Sequence, residues 1–221
     1  MKEYSIFQVM GPIMVGPSSS HTAGACRIAN SARNLCPFPF TRAEFILHGS
    51  FLMTYKGHGT DRALLAGILG IKPDDSQIIR AFALARESGL DYEFRKGDLG
   101  RVHPNSVKII LSNDQGEVFE LLGSSIGGGN IELIELDGNE ISFTNQFPTF
   151  ILQYQDRKGV IAHVSRYISD AGYNIENIDT KKKGKMVTLS VELTHPAGKT
   201  LRDQVLHSEL FTFAKYLDVV D

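Results

Sequence analysis

The order of the secondary-structure elements predicted for residues 149–221 is the feature that most constrains the fold of this chain. Apolar periodicity in this stretch indicates a strand, a helix, a hairpin of two strands, a second helix and a last strand. The corresponding segments are "FILQYQ", "VIAHVSRYISDAG", the hairpin around "KKGK", "LRDQVLHSEL" and "FAKYLDVV". The order β-α-β-β-α-β predicts a ferredoxin-like sandwich. The open edges of such a sheet predict side-by-side self-association.

Residues 1–145 carry a second pattern, which is helical at first and becomes strand-like from Leu90 onward. Because helices and strands occupy separate stretches, the pattern predicts an α+β domain with a boundary near residues 145–149. Helices are predicted over "AGACRIANSARNL", from about Arg62 to Leu69 and from Pro73 to Gly89, and strands over "RAEFILHGS", "YEFR", "SVKIIL", "EVFELL", "NIELIEL" and "ISFTN".

Charge and hydropathy exclude several classes of function. The formal net charge is −2, and the short run Lys181-Lys182-Lys183 is interpreted as a solvated hairpin tip, so no nucleic-acid partner is predicted. No apolar run approaches the ~18–20 residues that cross a bilayer, so no membrane association is predicted. The amino-terminal stretch is too short and too mixed for a signal peptide, which favours a cytoplasmic location.

The two cysteines, Cys26 and Cys36, show no metal-ligand spacing. Two thiolates are too few for the four-cysteine ligation that iron–sulfur clusters usually have. We therefore expect no metal ligands in this chain. Cys26 lies in an alanine-rich helix and is interpreted as a small buried hydrophobic residue.

The stretch "GPSSSHT" is the first candidate site. The start of a helix leaves about four N–H groups unpaired and carries roughly half a positive charge, which suits a carboxylate or phosphate. Ser18, Ser19, Ser20 and Thr22 add hydroxyl donors, and His21 is able to transfer a proton near neutral pH. The alternative is redundant N-capping of a structural helix.

The stretch "KGHGTDRA" is the second candidate. It is interpreted as a glycine-rich loop that exposes His58, with Lys56 and Thr60 nearby and Asp61 available to orient an imidazole or to bind Arg62. The alternative is a surface loop in which Thr60 or Asp61 merely caps the next helix. If both sites are real, the two imidazoles and two helix starts converge on one small acidic ligand.

Three further stretches carry less information. "HPNSV", residues 103–107, is expected to start a strand, because Pro104 holds His103 extended. In "QDRKGVIAHV", Asp156 is either a cap or a ligand contact, and Gly159 allows close backbone approach before a helix. Asn174 is either a residue at the start of a strand or a contact to a ligand at a dimer interface.

The stretches "GPSSSHTAGA", "GSFLMTYKGHGTDRALLAGILG" and "HPNSV" together resemble the β component of bacterial iron–sulfur L-serine dehydratases over residues 1–145. Residues 149–221 resemble an ACT domain, a ligand-sensing module of amino-acid metabolism. The amino-terminal part is also similar to the allosteric-substrate-binding domain of some phosphoglycerate dehydrogenases. The resemblance covers the full length of the β subunit of the two-subunit enzyme.

The resemblance implies an L-serine ammonia-lyase that forms pyruvate and ammonia, with a [4Fe–4S] cluster as Lewis acid. Its cysteine ligands would belong to a partner α subunit, so this chain is not expected to be active alone. His58 and His21 would be the catalytic residues. The implied substrate-binding residues are Ser18, Ser19, Ser20, Thr22, Lys56 and Thr60, and the implied effector-binding residues are Asp156, Gly159 and Asn174.

Two other interpretations stay open at this stage. In one, the chain is a purely regulatory module that senses serine, and all the chemistry lies in the α subunit. In the other, it is a self-sufficient hydrolase that uses one of its serines, although no Gly-x-Ser-x-Gly motif is present. The role of the histidines distinguishes the regulatory module from an enzyme subunit. A serine sensor needs hydrogen-bond donors for the carboxylate, whereas an enzyme subunit also needs a group that transfers protons.

Overall fold

The chain forms two compact units, each of which combines helices with a sheet. The computed structural model describes residues 13–144 and 146–219. The first unit ends at Asp137, and the second runs from Gly138 to Val219. The predicted α+β class is confirmed. In these described ranges, every helix is too short or too polar to cross a bilayer.

The first helix among the described residues is a π-helix, Ser19–Gly24, which continues directly into helix α1. The helices are α1 (Ala25–Leu35), α2 (Gly49–His58), α3 (Thr60–Ile68), a 3-10 helix (Ser76–Arg80) and α4 (Ala81–Glu87). The strands are β1 (Arg42–Leu47), β2 (Asp91–Lys96), β3 (Ser106–Ser112), β4 (Val118–Gly127) and β5 (Asn130–Leu136). They pair in the order β2-β1-β3-β4-β5, and only the β1–β2 pair of this series is parallel.

Two glycines let helix α1 approach its neighbours closely. A Cβ on Gly67 of α3 would overlap the carbonyl oxygen of Cys26 in α1. A Cβ on Gly123 of β4 would lie 2.8 Å from Cγ2 of Ile28 in α1. Because α1 is buried against both the sheet and α3, it fixes the position of the π-helix that precedes it.

Two predicted boundaries are wrong. Residues 49–58 form helix α2 rather than an apolar stretch followed by a loop, so His58 is the last residue of a helix. Gly57 stays helical, and the break comes at Gly59, whose φ of 68° is left-handed. The helix predicted from Pro73 starts only at Ser76, because Asp75 is extended and accepts a hydrogen bond from the Gln77 N–H at 2.8 Å.

Along the chain of the second unit, strands come before, between and after two helices. Its elements are β6 (Asn139–Phe143), β7 (Thr149–Gln155), α5 (Val160–Asp170), β8 (Ile175–Lys183), β9 (Met186–Leu193), α6 (Lys199–Leu206) and β10 (Phe213–Leu217). Strands β7 to β10 form an antiparallel sheet in the order β10-β7-β9-β8. The main core lies between this sheet and the helices, and it contains Phe150, Leu152, Val164, Ile168, Leu189 and Val191.

The lysine run lies at the end of β8, next to the turn at Gly184. As predicted for a solvated hairpin tip, Lys182 and Lys183 are exposed, and all three ammonium groups also contact an oxygen atom. Lys181 lies 3.5 Å from the Asp179 carboxylate, Lys182 pairs with Asp156, and Lys183 donates to the Gly138 carbonyl at 2.5 Å. These intramolecular contacts leave less positive charge for an external partner.

The other face of strands β7 and β9 buries polar side chains. Side chains alternate along a strand, so Gln153, Thr188, Ser190 and Glu192 lie opposite the helix-covered face. Strand β6 packs against β8 and β9, and the Ser190 hydroxyl donates to the Ser142 carbonyl at 3.5 Å. Burial raises the pKa of the Glu192 carboxyl, a hydrogen bond from Asn177 opposes the shift, and the charge of Glu176 adds to it.

We expect the Glu192→Gln variant to have a larger free energy of unfolding than the parent chain at neutral pH. A raised pKa in the folded chain means that the charged carboxylate destabilises the fold. The gain should be absent below the ordinary value of 4.5 and grow as the pH rises through the raised pKa. Urea unfolding at several pH values measures it, with Glu209→Gln at an exposed position as control. Equal stabilities at pH 7 would contradict the assignment.

Candidate active site

The "GPSSSHT" stretch forms a tight turn into the π-helix. Ser18 is the extended N-cap residue, and its hydroxyl accepts a hydrogen bond from the His21 N–H at 3.1 Å. Gly16 has a φ of 147°, and a Cβ there would lie 2.5 Å from Cγ2 of Thr22. Only glycine fits this position without strain. The π-helix is a rare wide turn that is often associated with functional sites.

His21 points inward and has a partner at each ring nitrogen. Its Nδ1 lies 3.4 Å from the Ser18 hydroxyl, and its Nε2 lies 3.1 Å from the Ser50 hydroxyl. The ring of Phe51 stands edge-on to the imidazole, with 5.3 Å between centroids. The residue is only 9% exposed, so the imidazole is held in one place.

The "HPNSV" stretch starts β3 as expected, and it also anchors the start of α2. The Pro104 carbonyl accepts hydrogen bonds from the Ser50 N–H at 2.8 Å and the Phe51 N–H at 3.4 Å. Gly49 permits this approach, because a Cβ there would lie 2.6 Å from the Pro104 oxygen and its φ is 52°. The contact places the Ser50 hydroxyl against His21.

The other end of α2 brings His58 to His21. The two ring centroids are 4.8 Å apart and the planes meet at 73°. The Thr22 hydroxyl donates to the His58 carbonyl at 3.2 Å, which ties the π-helix to the end of α2. His58 Nδ1 is buried without a hydrogen-bond partner. The structure therefore brings the two histidine motifs together.

The environment of His21 favours its neutral form. Burial lowers the pKa of the His21 imidazole, and the charge of His58 lowers it further, while a hydrogen bond to the Ser50 backbone opposes the shift. Two imidazoles at this distance disfavour a state in which both are protonated. At neutral pH, His21 is therefore an uncharged ring beside His58.

A small cleft of about 80 Å³ opens beside the pair of histidines. Its polar lining comes from Thr22, His58 and Arg62, and its remaining lining is apolar or glycine: Val15, Gly16, Pro17, Gly59, Ile78 and Ile79. The Pro73 carbonyl accepts a hydrogen bond from the Val15 N–H at 2.8 Å and so holds one wall in place. A cationic side chain and an imidazole thus face one small volume.

The comparison with known proteins decides the family. A family model described as "Serine dehydratase beta chain" matches residues 5–135. The chain belongs to this family. It is 50% identical to the "L-serine dehydratase, beta chain" of Peptoniphilus asaccharolyticus, over 99% of this chain and 100% of that one. It is 39% identical to the "Probable L-serine dehydratase, beta chain" of Bacillus subtilis (strain 168), over 93% of this chain and 94% of that one.

A longer relative matches over one part of its length. The "L-serine dehydratase" of Helicobacter pylori (strain ATCC 700392 / 26695) is 31% identical over 63% of this chain, which is 37% of that protein. The resemblance inferred from the histidine motifs is thus confirmed at the level of the family.

Of the predicted substrate-binding residues of this beta-chain family member, Thr22 is the one that lines the 80 Å³ cleft, and the others differ in their burial. Ser19 and Ser20 are the half-buried first residues of the π-helix. Lys56 is exposed, and its ammonium lies 5.7 Å from the centroid of the Tyr55 ring. Thr60 is fully buried, and its hydroxyl has no hydrogen-bond partner. Neither Lys56 nor Thr60 lines the 80 Å³ cleft, whereas Thr22 does.

Sequence reasoning missed two residues of this site. Ser50 contacts His21, and Arg62 lines the cleft. Rather than orienting an imidazole, the Asp61 carboxylate accepts a hydrogen bond from the Arg62 backbone N–H at 2.8 Å. Two sequence positions could have pointed to these residues. Ser50 directly precedes Phe51 in "GSFLMTYKGHGTDRALLAGILG", and Arg62 lies in the first turn of α3.

The predicted effector residues separate into two clefts of the second unit. Asp156 and Gly159 line a cleft of about 600 Å³ at the start of α5, together with Lys158 and Lys182. Asn174 lines another cleft, of about 260 Å³. One copy of the unit therefore does not bring all three residues into one cleft.

The thiols of this chain do not fit an iron–sulfur cluster. The Cys26 Sγ donates to the Ile71 carbonyl at 3.2 Å, and burial raises the pKa of its thiol to about 12. The Cys36 Sγ donates to the Phe38 carbonyl at 3.3 Å. Across residues 13–144 and 146–219, no group of three or more His, Cys, Asp or Glu side chains is arranged to hold a metal ion.

Proposed function

We propose that this chain is the β subunit of an L-serine ammonia-lyase, which converts L-serine to pyruvate and ammonia together with an α subunit. The proposal rests on one observation above all, the pair of imidazoles 4.8 Å apart beside a cleft that Arg62 also lines. Membership of the serine dehydratase beta-chain family supports it. In this proposal residues 1–145 form the substrate domain and residues 149–221 an ACT domain.

The proposed role of His58 is to transfer the proton of the serine α carbon. The C–H bond breaks, its electrons form a carbon–carbon double bond, and the β-hydroxyl leaves as water with a proton. The resulting enamine rearranges to an imine, and water hydrolyses this to pyruvate and ammonia. His58 lines the cleft, whereas His21 is almost fully buried.

The carboxylate of serine is proposed to lie against the π-helix. The first N–H groups of a helix are free to bind an anion, and Ser18, Ser19 and Ser20 occupy this end. Arg62 adds a positive charge in the cleft that Thr22, a residue of the same π-helix, lines. Thr22 contributes a hydroxyl there, while Lys56 and Thr60 are proposed to act from outside the cleft.

The [4Fe–4S] cluster is proposed to be held by the α subunit. Both thiols of this chain donate to backbone carbonyls inside the first unit and are not available as ligands. The steps assigned to this chain are therefore binding and proton transfer.

Co-expression tests the proposed function. The chain should co-purify with a cysteine-bearing α chain as an iron-containing complex that forms pyruvate from L-serine. The chain purified alone should form no pyruvate. A complex that assembles with iron but leaves L-serine unchanged would overturn the proposal.

A sensing function of the second unit is a second candidate. The cleft of about 600 Å³ at the start of α5 offers the cation of Lys158 beside Gly159 and the Lys182–Asp156 ion pair, which suits a small amino acid. Asn174 would reach such a ligand only from a second copy, through self-association of the sheet edge. Calorimetric titration of L-serine into the chain alone, with Lys158→Ala as comparison, distinguishes binding at this cleft from binding at the histidines.

A self-sufficient serine hydrolase is the interpretation that the geometry favours least. Ser18 is within 3.4 Å of His21 Nδ1, but its hydroxyl also serves as the helix cap. The other ring nitrogen of His21 faces the Ser50 hydroxyl, where a catalytic triad would have a carboxylate.

A further inference from the structure

The two hydrogen bonds at the His21 ring bear on which of its nitrogens carries the hydrogen. The ring has two nitrogens, and a neutral imidazole uses one as donor and the other as acceptor. Ser18 and Ser50 lie at these two nitrogens, at 3.4 Å and 3.1 Å. The partners therefore decide which nitrogen holds the hydrogen.

The second bond of Ser18 favours one direction for the bond at Nδ1. Its hydroxyl oxygen already accepts the His21 backbone N–H at 3.1 Å. The hydroxyl hydrogen remains free to point at Nδ1, which then acts as acceptor. This arrangement places the ring hydrogen on Nε2.

The surroundings of Nε2 agree with that assignment. A hydrogen on Nε2 would be donated towards Ser50, because Nε2 is the ring nitrogen on that side and a hydroxyl oxygen accepts an N–H. The Ser50 hydroxyl lies beside the same nitrogen. Ser50 is itself fixed by the bond from its N–H to Pro104 and by the Thr54 hydroxyl, which donates to its carbonyl at 2.9 Å.

We propose that Ser50 is a positioning residue, which holds His21 as the neutral tautomer protonated at Nε2 and leaves proton transfer to His58. The second half rests on the proposed function, whereas the first concerns this chain alone. His21 would keep its hydrogen through the reaction and support the ring of His58 edge-on. The unpartnered Nδ1 of His58 marks the less constrained imidazole of the two.

Nitrogen NMR of the full chain with ¹⁵N-labelled histidine tests the first half. Two-bond ¹H–¹⁵N correlations should show His21 as a single neutral tautomer, protonated at Nε2, with no titration between pH 6.5 and 8. Ser50→Ala should give averaged tautomer shifts, and Ser50→Thr should restore the parent pattern. Ser88→Ala is the control, because that hydroxyl donates only to Ala85 at the end of α4.

Each outcome decides the proposal. A parent spectrum that shows protonation at Nδ1, a charged ring at pH 7.5, or averaged shifts overturns it, even if Ser50→Ala does not fold. A Ser50→Ala spectrum that keeps the parent tautomer also overturns it.

The assembled enzyme tests the second half. Ser50→Ala should lower kcat about tenfold with little change in KM, as for other residues that orient an imidazole, and Ser50→Thr should recover most of it. An unchanged kcat in Ser50→Ala would contradict the positioning role. A complex without dehydratase activity would reject the proposed function but leave the tautomer of His21 as the NMR measures it.

Discussion

Replacement of His58 by alanine should lower the turnover of L-serine by the assembled α/β enzyme by about 10²–10⁴-fold, the usual contribution of a positioned acid or base. The α-proton of an amino acid is weakly acidic, so its removal depends on a group that is close and correctly protonated. His58 lines the cleft and contacts His21, whose ring stays neutral. The loss should appear in kcat, with a small change in KM. Steady-state pyruvate formation measures both constants.

His163→Ala is the matched control for this variant. His163 is exposed on helix α5, where its ring stands edge-on to the ring of Tyr167 with 4.3 Å between the centroids. His58→Gln provides a second variant of similar size that keeps the end of α2 filled. Near-normal turnover in both His58 variants would favour the regulatory alternative, in which the first unit senses serine and the α subunit performs the chemistry.

The local parts of this site could be predicted from sequence, because they depend on neighbouring residues. Gly16, Pro17 and three serines predict a capped helix start, and Ser18 is the cap in the structure. The positive φ of Gly70 and Gly89 agrees with the helix ends predicted there. The apolar stretches likewise predicted strands β2 to β5.

The long-range parts could not be predicted, because they depend on packing. The two glycines that flank His58 suggested a loop. In the structure only Gly59 of the two has a left-handed φ, and α2 is held by its buried residue Phe51. The meeting of His21 with Ser50 depends on the Pro104 carbonyl, which is 54 positions further along the chain than Ser50. The spacing of apolar residues in these two segments does not predict the contact between His21 and Ser50. The 3-10 start before α4 was missed because Asp75, rather than a residue before Pro73, is the N-cap.

Arg62→Gln should lower kcat/KM for L-serine by roughly tenfold to a hundredfold. A hydrogen bond to a charged group contributes about 1.5–3 kcal/mol, and each 1.4 kcal/mol is about a factor of ten. Arg62 lines the cleft beside His58, and its side chain is exposed enough to meet a ligand that arrives from solvent. Because the serine carboxylate is present in both the ground state and the transition state, the loss should appear mainly as a higher KM.

Arg62→Lys keeps the charge without the forked geometry and should fall between the parent enzyme and Arg62→Gln. Arg86→Gln, at an exposed position of helix α4, serves as the control for loss of a surface cation. A serine analogue without a carboxylate should bind the parent enzyme and Arg62→Gln equally weakly, because neither would then gain from the guanidinium. If Arg62→Gln leaves KM unchanged, Arg62 does not bind the carboxylate, and Ser18, Ser19 and Ser20 at the start of the π-helix become the residues to vary next.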